Sequence, residues 1–530
     1  MIPALAICMA AGAQNVEDAL RLSSNDYYGT ARSMGMANAM TAVGSDHGSI
    51  VFNPAGSAVA PYSQVTISPG FNMSFVNSSL DGGTYGKTSA RKAILPNIGA
   101  TCYINTGRQW GLKGVSFGFI CNMSQNYLYS METGGRTASS YAGSIADYAT
   151  HNKFHVTEGI DYGNTDDWMS LLAYDAYMID PIDDAQSAWI GATENIHTYT
   201  AGGQKRYEIE SNPVDARYIK DMKGNKMDYV FNLAFNISDI VFIGANLGIQ
   251  SMTYSYDTRL EENAVQGVSY QTRFRNLSYS YSYEAAARAC YGKVGVLVTP
   301  VAGLRLGAAF TTPTLMNVQE SWINQMSTTF YKDDSHDNYN ENKAKTPVAD
   351  NRYAFTSPFS FNLGVAYTLG NFAMLSLDYE MANYAQARYS TWQYQDNDFY
   401  NLNREIRGQL SESELANYMF LGPRHLLRCG VEIKPMDVFA IRAGYSLATS
   451  GKKLFNEGRV SNIDENTHCA SFGLGYDSRG SFFVDLACRL KFCPKEQYLL
   501  YSSYTAGPEP PYYNCSQMLA SMVCTVGWRF

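Results

Sequence analysis

From Ser63 onward the chain alternates apolar and polar residues with a period of two. In the last stretch, Met518, Ala520, Met522, Cys524, Val526, Trp528 and Phe530 are all apolar, while the residues between them are smaller or more polar overall, Leu519 and Val523 excepted. A strand sends alternate side chains to opposite faces, so this stretch has one oily face along its whole length. It ends on an aromatic residue, as the closing strands of bacterial outer-membrane barrels do. The same pattern predicts strands at 63–75, 94–105, 112–129, 225–238, 240–257, 276–300, 303–314, 353–369, 372–389, 424–435, 438–449, 466–478, 480–492 and 514–530. That is fourteen, and bacterial barrels have even strand numbers.

The connections carry more than any one strand. Turns at 238–239, 301–302, 369–371, 435–437 and 478–480 are short, and they alternate with long connections such as 130–224, 315–352 and 390–423. Short periplasmic turns facing long extracellular loops are the mark of an outer-membrane barrel. Facing follows from the alternation. Ile243, Leu247, Leu375, Leu377 and Ile441 are placed on lipid, and Asn246, Ser376, Asp378, Glu380 and Arg442 in the lumen. Strand 276–300 loses register between Tyr283 and Lys293, which predicts a bulge.

Composition supports a membrane barrel. The 40 Tyr and 25 Phe suit aromatic girdles. Apart from the extreme N-terminus, no apolar run is long enough for a membrane helix, and only helices and closed barrels satisfy their backbone in lipid. The net charge of −8 excludes nucleic acid as a partner. Residues 1–13 read as the remnant of a secretory signal, its apolar core followed by Ala11-Gly12-Ala13. Residues 14–62 form a compact, small-residue segment ahead of the barrel, which occupies 63–530. Cys493 and Cys515 flank the last loop, where a disulfide is an open alternative to free thiols.

Few constellations suggest chemistry. Gly114-Val115-Ser116-Phe117-Gly118 matches the hydrolase elbow, but alternation runs through it where a strand-to-helix turn is needed. Asp81–Thr88 approaches a phosphate loop but has Asp81 in place of the first glycine and no helix after it. No catalytic residue, metal site or cofactor is expected, and the protein is not read as an enzyme. The acidic runs 333–337 and 396–398 read as solvated loop. Arg305, Arg428 and Arg442 are predicted lumen cations, available either to a ligand carboxylate or to an ion-pair network bracing the barrel. Asp167 followed by Trp168, Leu171 and Leu172 at helical spacing predicts an apolar helix on an outer loop. That helix would line a ligand groove or pack into a lid. Ser411 with Glu414 is a capping box for a second loop helix.

The segment holding Gly35, Ala39, Asp46 and Asn53-Pro54-Ala55-Gly56, placed before fourteen strands, resembles the hatch of the FadL/TodX family of outer-membrane transporters for hydrophobic compounds. Tyr353–Phe359 with Leu377–Glu380 and Tyr384, and Cys429–Glu432 with Ile441–Tyr445, are similar to later strands of that family. The outer loops depart from the pattern in being long. The resemblance implies an all-β, fourteen-stranded antiparallel transmembrane barrel in the bacterial outer membrane, with an N-terminal hatch and short helices in its extracellular loops. It implies passive uptake of small hydrophobic molecules such as long-chain fatty acids, with capture by outer loops, hatch movement and sideways exit at a kink in the third strand. Gly114, Ser116 and Gly118 lie on that strand, where the glycines would relax the ladder or simply be small lumen residues. The expected partners are a fatty acid-like molecule, outer-membrane lipid and lipopolysaccharide, and the expected state is a monomer. Uptake of haem or an aromatic compound, and a surface adhesin, are the competing readings.

Overall fold

A computed structural model describes residues 16–530 apart from 82, 84, 202–203, 333–340, 392–398, 410–418, 457–458, 464, 479–480 and 502–509. The signal remnant, both acidic runs and the second loop capping box lie outside the described residues. Fourteen antiparallel strands close into a ring. They are β1 (Gln64–Leu80), β2 (Tyr85–Asn105), β3 (Leu112–Asn126), β4 (Val214–Ile237), β5 (Val241–Ala264), β6 (Phe274–Val301), β7 (Leu304–Thr311), β8 (Ser360–Leu369), β9 (Ala373–Asn383), β10 (Pro423–Met436), β11 (Phe439–Ala448), β12 (Thr467–Asp477), β13 (Phe482–Phe492) and β14 (Tyr512–Arg529). The ring closes where Gln64 of β1 pairs with Arg529 of β14. Closure leaves no free edge in the hydrocarbon layer, which is what lets a sheet cross a membrane. No described helix is long and apolar enough to do so.

The facing is as the alternation predicts. Ile243, Leu247, Leu375, Leu377 and Ile441 are exposed on the outer wall, and Asn246, Ser376, Asp378 and Arg442 are buried inside. The strand ends differ, because several strands run far above the membrane. β2 begins at Tyr85 and β4 at Val214, so much of what the sequence presents as loop is ladder. The predicted loop 315–352 is largely strand too: Leu315–Phe330 extends β7, and Ala349–Thr356 precedes β8. In that upper region outward charges such as Glu284 and Arg288 meet water, so the apolar signal that marks a strand in lipid is lost. The same effect explains the expected bulge in β6. β6 pairs with β5 without a break from Asn276 to Val298, and Tyr283 and Lys293 both point inward. The irregularity is in its neighbour, which is interrupted between Thr311 and Leu315.

Residues 16–62 lie inside the ring. α1 (Val16–Ser23) stands in the outer half, followed by an extended run, α2 (Ala31–Gly35), α3 (His47–Phe52) and a short 3-10 turn, Pro54–Ala58. Thr30 caps α2 and Asp46 caps α3 through their side chains. The outer end is closed by a lid built on α4 (Tyr141–His151) and α5 (Trp168–Asp175), whose apolar residues share one core with Phe154, Trp189, Phe274 and Leu277.

Candidate functional site

The wall is incomplete between β2 and β3. Their ladder runs from Asn105 paired with Gly114 to Asn97 paired with Asn122, and there it stops. β2 continues upward through Pro96, which has no N–H to donate. Opposite it, β1 shifts register between Ser68 and Gly70, around Pro69. β3 turns inward, with its own register shift against β4 between Met123 and Gln125. The edge that β3 presents past Asn122 is taken by the N-terminal segment. Tyr28 N–H donates to the Met123 carbonyl at 3.0 Å, Asp26 N–H to that of Ser124 at 2.6 Å, and Gly29 N–H to Asn122 Oδ1 at 3.1 Å. Higher up, Tyr129–Thr137 continues along β4 and leans back on the first two strands. Thr88 Oγ1 donates to the Ser130 carbonyl and Ser78 Oγ to that of Glu132, each at 2.6 Å.

A window of about 240 Å³ is left in the wall, lined by Lys92, Ile94, Leu95, Ile98, Met123 and Met227 among others. Tyr28, Ala31 and Met34 of the N-terminal segment back it, in one apolar cluster with Ile94 and Met123. At the turn itself, the buried amide of Asn126 and Oε1 of Gln125 have no hydrogen-bond partner among the described residues. Buried polar atoms in that condition cost about 1–3 kcal/mol each.

Gly114, Ser116 and Gly118 are not at this break. All three lie in continuous ladder between β2 and β4, paired with Asn105, Tyr103 and Thr101. The Gly114 site is filled by the Tyr103 ring, where a methyl group would overlap it. The strand parts further up, where proline removes a donor and the hatch supplies the missing one.

The Asn53-Pro54-Ala55-Gly56 turn is held on three sides. Asn53 Nδ2 donates to the Thr41 carbonyl at 2.8 Å and the Val296 carbonyl at 3.0 Å, and its Oδ1 accepts from Ala55 N–H. Asn232 Nδ2 donates to the Pro54 carbonyl at 3.0 Å. A methyl group on wall glycine Gly244 would overlap Pro54, and one on Gly295 would overlap Asn53, so both positions exist as glycine to let the turn approach.

The three arginines are engaged by protein groups. Arg442 donates to Glu432 at 2.6 Å and to Asp485 at 2.5 Å, and Glu432 also accepts from Arg32 of α2 at 2.9 Å. Arg428 pairs with Glu380 at 2.5 Å and covers the Phe52 ring. Arg305 donates to the Val43 carbonyl at 2.6 Å. The geometry thus favours the bracing network over a ligand carboxylate. The same device recurs at wall cations that the sequence reading passed over. Lys226, fully buried, donates to the carbonyls of Leu22 at 2.9 Å and Ser24 at 2.8 Å. Lys293 donates to that of Val51, and Arg489 and Lys491 hold Asp26. Their signal was present, since a charge on the inward face of a membrane strand needs a partner in the lumen.

Leu171 and Leu172 are buried in the lid core and Trp168 packs at its side, so α5 closes the barrel and lines no open groove. Beneath the lid, α1 packs into a tyrosine-rich core. Tyr127 and Tyr254 stand 5.0 Å apart edge to face, Tyr256 lies 5.2 Å from Tyr283, and Arg21 covers Tyr254 at 4.2 Å. Cys493 and Cys515 are free thiols. Cys493 lies opposite Gln517 and Cys515 opposite Glu496, which sets them apart along the ladder.

No family model matches the chain, and no curated relative does. Among solved structures it is similar to a Pseudomonas aeruginosa FadL homologue, at 11% identity and a TM-score of 0.51 over 95% of this chain and 98% of that one. The P. putida toluene transporter TodX aligns at 13% identity and 0.49, over 96% and 99%. The Ralstonia pickettii toluene transporter TbuX aligns at 12% and 0.44, over 94% and 98%. The chain is therefore a fourteen-stranded antiparallel barrel with the fold of the FadL homologue, its lumen occupied by its own N-terminal segment.

Proposed function

We propose that this protein carries small hydrophobic molecules, such as long-chain fatty acids, passively across the outer membrane. The outer loops capture the molecule and deliver it to the aromatic region around α1, the hatch shifts, and the molecule leaves sideways through the window between β2 and β3. One observation carries the reading: past Asn122 the hatch is the strand partner of β3. Three exchangeable hydrogen bonds hold that edge of the N-terminal segment on β3. The unsatisfied Asn126 amide lowers the cost of an alternative arrangement there. An oily molecule gains little in an aqueous pore and much on an apolar path that ends in lipid. The clustered tyrosines equally support an aromatic ligand in place of an acyl chain. A surface-binding barrel would need no opening in its wall, so the window disfavours the adhesin reading.

The test is a reversible tether. With Asp26→Cys and Ser124→Cys, oxidation joins the hatch to β3 across their shared hydrogen bond. Uptake of a labelled fatty acid is expected to fall to the background of cells lacking the protein, and to recover on reduction. Comparing the two redox states of one variant cancels the loss of the Asp26 ion pairs. Equal uptake by the oxidised and reduced forms would remove hatch movement at this edge from the mechanism.

A further inference from the structure

A second discontinuity crosses the wall on another side of the ring. Three neighbouring strands are interrupted at one height. β7 gives way to its extension at Thr312-Pro313-Thr314, and Ala349–Thr356 gives way to β8 at Ser357-Pro358-Phe359. β9 gives way to a 3-10 turn, Tyr384–Gln386. Between Ser360 paired with Ala382 and Thr356 paired with Arg388, residues 357–359 face 383–387 without ladder bonds. Pro313 and Pro358 have no N–H to offer a neighbour. The break is braced by Ser357 N–H donating to the Thr314 carbonyl at 3.0 Å.

A recess of about 870 Å³ lies over this break. Its floor is Pro313, Pro358 and Phe359. Its outer side is the start of α6 (Leu402–Gln409), fastened to the wall by Asn401 Nδ2, which donates to the carbonyls of Ala385 at 2.7 Å and Ala387 at 3.2 Å. Behind it the barrel is solid with Phe355, Tyr384 and Tyr389, so it does not continue the lumen. Its height is set by the aromatic residues beneath it. Phe310 lies 5.7 Å from Phe359, Phe361 6.0 Å from Tyr379, and the Tyr379 hydroxyl 2.7 Å from His425 Nδ1, on the wall above lipid-facing Leu363, Val365 and Leu377. Such rings mark the membrane–water interface of a barrel, here the outer one, since the periplasmic turns lie at the other ends of β8 and β9.

Two guanidinium groups open onto the recess, Arg388 and Arg404, both exposed. Neither has an acidic partner among the described residues. Among the described residues one carboxylate, Glu405, shares the lining, so these residues leave a positive excess above an apolar floor. Arginine presents a planar fork of donors suited to phosphate oxygens. A phosphate at headgroup height with an acyl chain below it is what the outer leaflet of this membrane offers along the wall.

We propose that this recess binds a phosphorylated glycolipid of the outer leaflet, with a phosphate on Arg388 and Arg404 and the root of an acyl chain against Pro313, Pro358 and Phe359. The site stands on the barrel's place in the membrane and not on the transport reading.

The experiment uses the full chain in detergent and native mass spectrometry with bisphosphorylated lipid A. Binding to the wild type is expected. The R388Q/R404Q variant should weaken it about tenfold or more, the effect of losing two charge-assisted contacts, and lipid A without its phosphates should bind as weakly to the wild type. R206Q/R275Q, which removes two exposed arginines elsewhere, should bind as the wild type does, and R388K/R404K should fall between. Folding of every variant is checked by heat-modifiable gel mobility; should R388Q/R404Q not fold, Phe359→Ser, which keeps both charges and removes the apolar floor, is expected to weaken binding in its place. Equal binding by R388Q/R404Q, equal binding of dephosphorylated lipid A, or displacement by excess inorganic phosphate would each overturn the proposal, the last by showing a site for free anion. Fatty acid uptake by R388Q/R404Q is expected to be unchanged, so failure here leaves the transport reading standing, and the converse holds.

Discussion

The barrel wall is broken twice, and the two breaks share an origin but not a backing. At β2 and β3, and again at β8 and β9, proline withdraws a donor and neighbouring strands lose their ladder. Behind the first break stands the hatch, joined to β3 by backbone hydrogen bonds that a shift of a few residues would undo. Behind the second stand Phe355, Tyr384 and Tyr389, buried in one apolar core with Leu20 and Leu22 of α1. Packed rings have few alternative arrangements, whereas an edge strand has another partner whenever one is offered. What lies behind a break in a barrel thus sets how freely the wall can rearrange there.

The largest expected effect that sharpens this contrast is at Glu432. It accepts from both Arg32 of the hatch and Arg442 of the wall, with all three groups largely buried. Glu432→Gln leaves buried Arg32 without its anion and Arg442 with Asp485 alone, and should cost about 3–5 kcal/mol. The readout is the denaturant midpoint for unfolding from lipid vesicles. Amide exchange at 26–34 should quicken, while that at 384–387 stays as it is.

A smaller change isolates the window. Lys226→Met keeps the apolar stem but leaves the Leu22 and Ser24 carbonyls without their donor, at about 1–3 kcal/mol. Exchange at residues 22–29 should rise about 10–100-fold. Equal acceleration at the β8–β9 break would show that the two share one opening motion and would end the distinction drawn between them.

The barrel was legible in the sequence because lipid enforces a period of two on every strand it touches, and the facing of β5, β9 and β11 follows from that alone. Legibility stops where lipid stops. Above the membrane both faces of β2, β4 and β6 meet water or loops, so the alternation fades and ladder reads as loop. The window was misplaced for a related reason. Glycine at 114 and 118 suggests a weak ladder, but a ladder is lost where a donor is missing and another strand competes, at Pro96 and Asp26–Gly29. That competition joins residues far apart in the chain, and no local pattern encodes it. Arg428 and Arg442 were found as lumen cations by the same alternation. Their choice between ligand and carboxylate depended on Glu380, Glu432 and Asp485 arriving from other strands.

The smallest effect concerns the lid above both breaks. Glu194 is 8% exposed and lies against α4 beside Gly143, accepting from Gly191 N–H at 2.8 Å and Ser211 Oγ at 3.3 Å. Burial pushes its carboxyl from the ordinary 4.5 to about 7, opposed by the Gly191 hydrogen bond and assisted by nearby Asp147. A raised carboxyl binds its proton more tightly in the folded lid than in the unfolded chain, so the contribution is full below about pH 4.5 and is lost as pH rises through 7. The lid should therefore loosen between about pH 5 and 8, by an amount on the order of 1–3 kcal/mol. Amide exchange across Tyr141–His151, corrected for its intrinsic pH dependence, is the measurement. Glu194→Gln, neutral at every pH, should remove that component and lessen the loss of α4 protection as pH rises. The companion carboxylate Glu262, which accepts from Tyr141 N–H at 2.9 Å and is also raised by burial to about 7, is untouched by the substitution, so the pH dependence that remains in α4 is its own. Lipid retention at the β8–β9 recess should not follow this profile, because its backing belongs to a separate core. If it does, lid and recess move together, and the second break is no more static than the first.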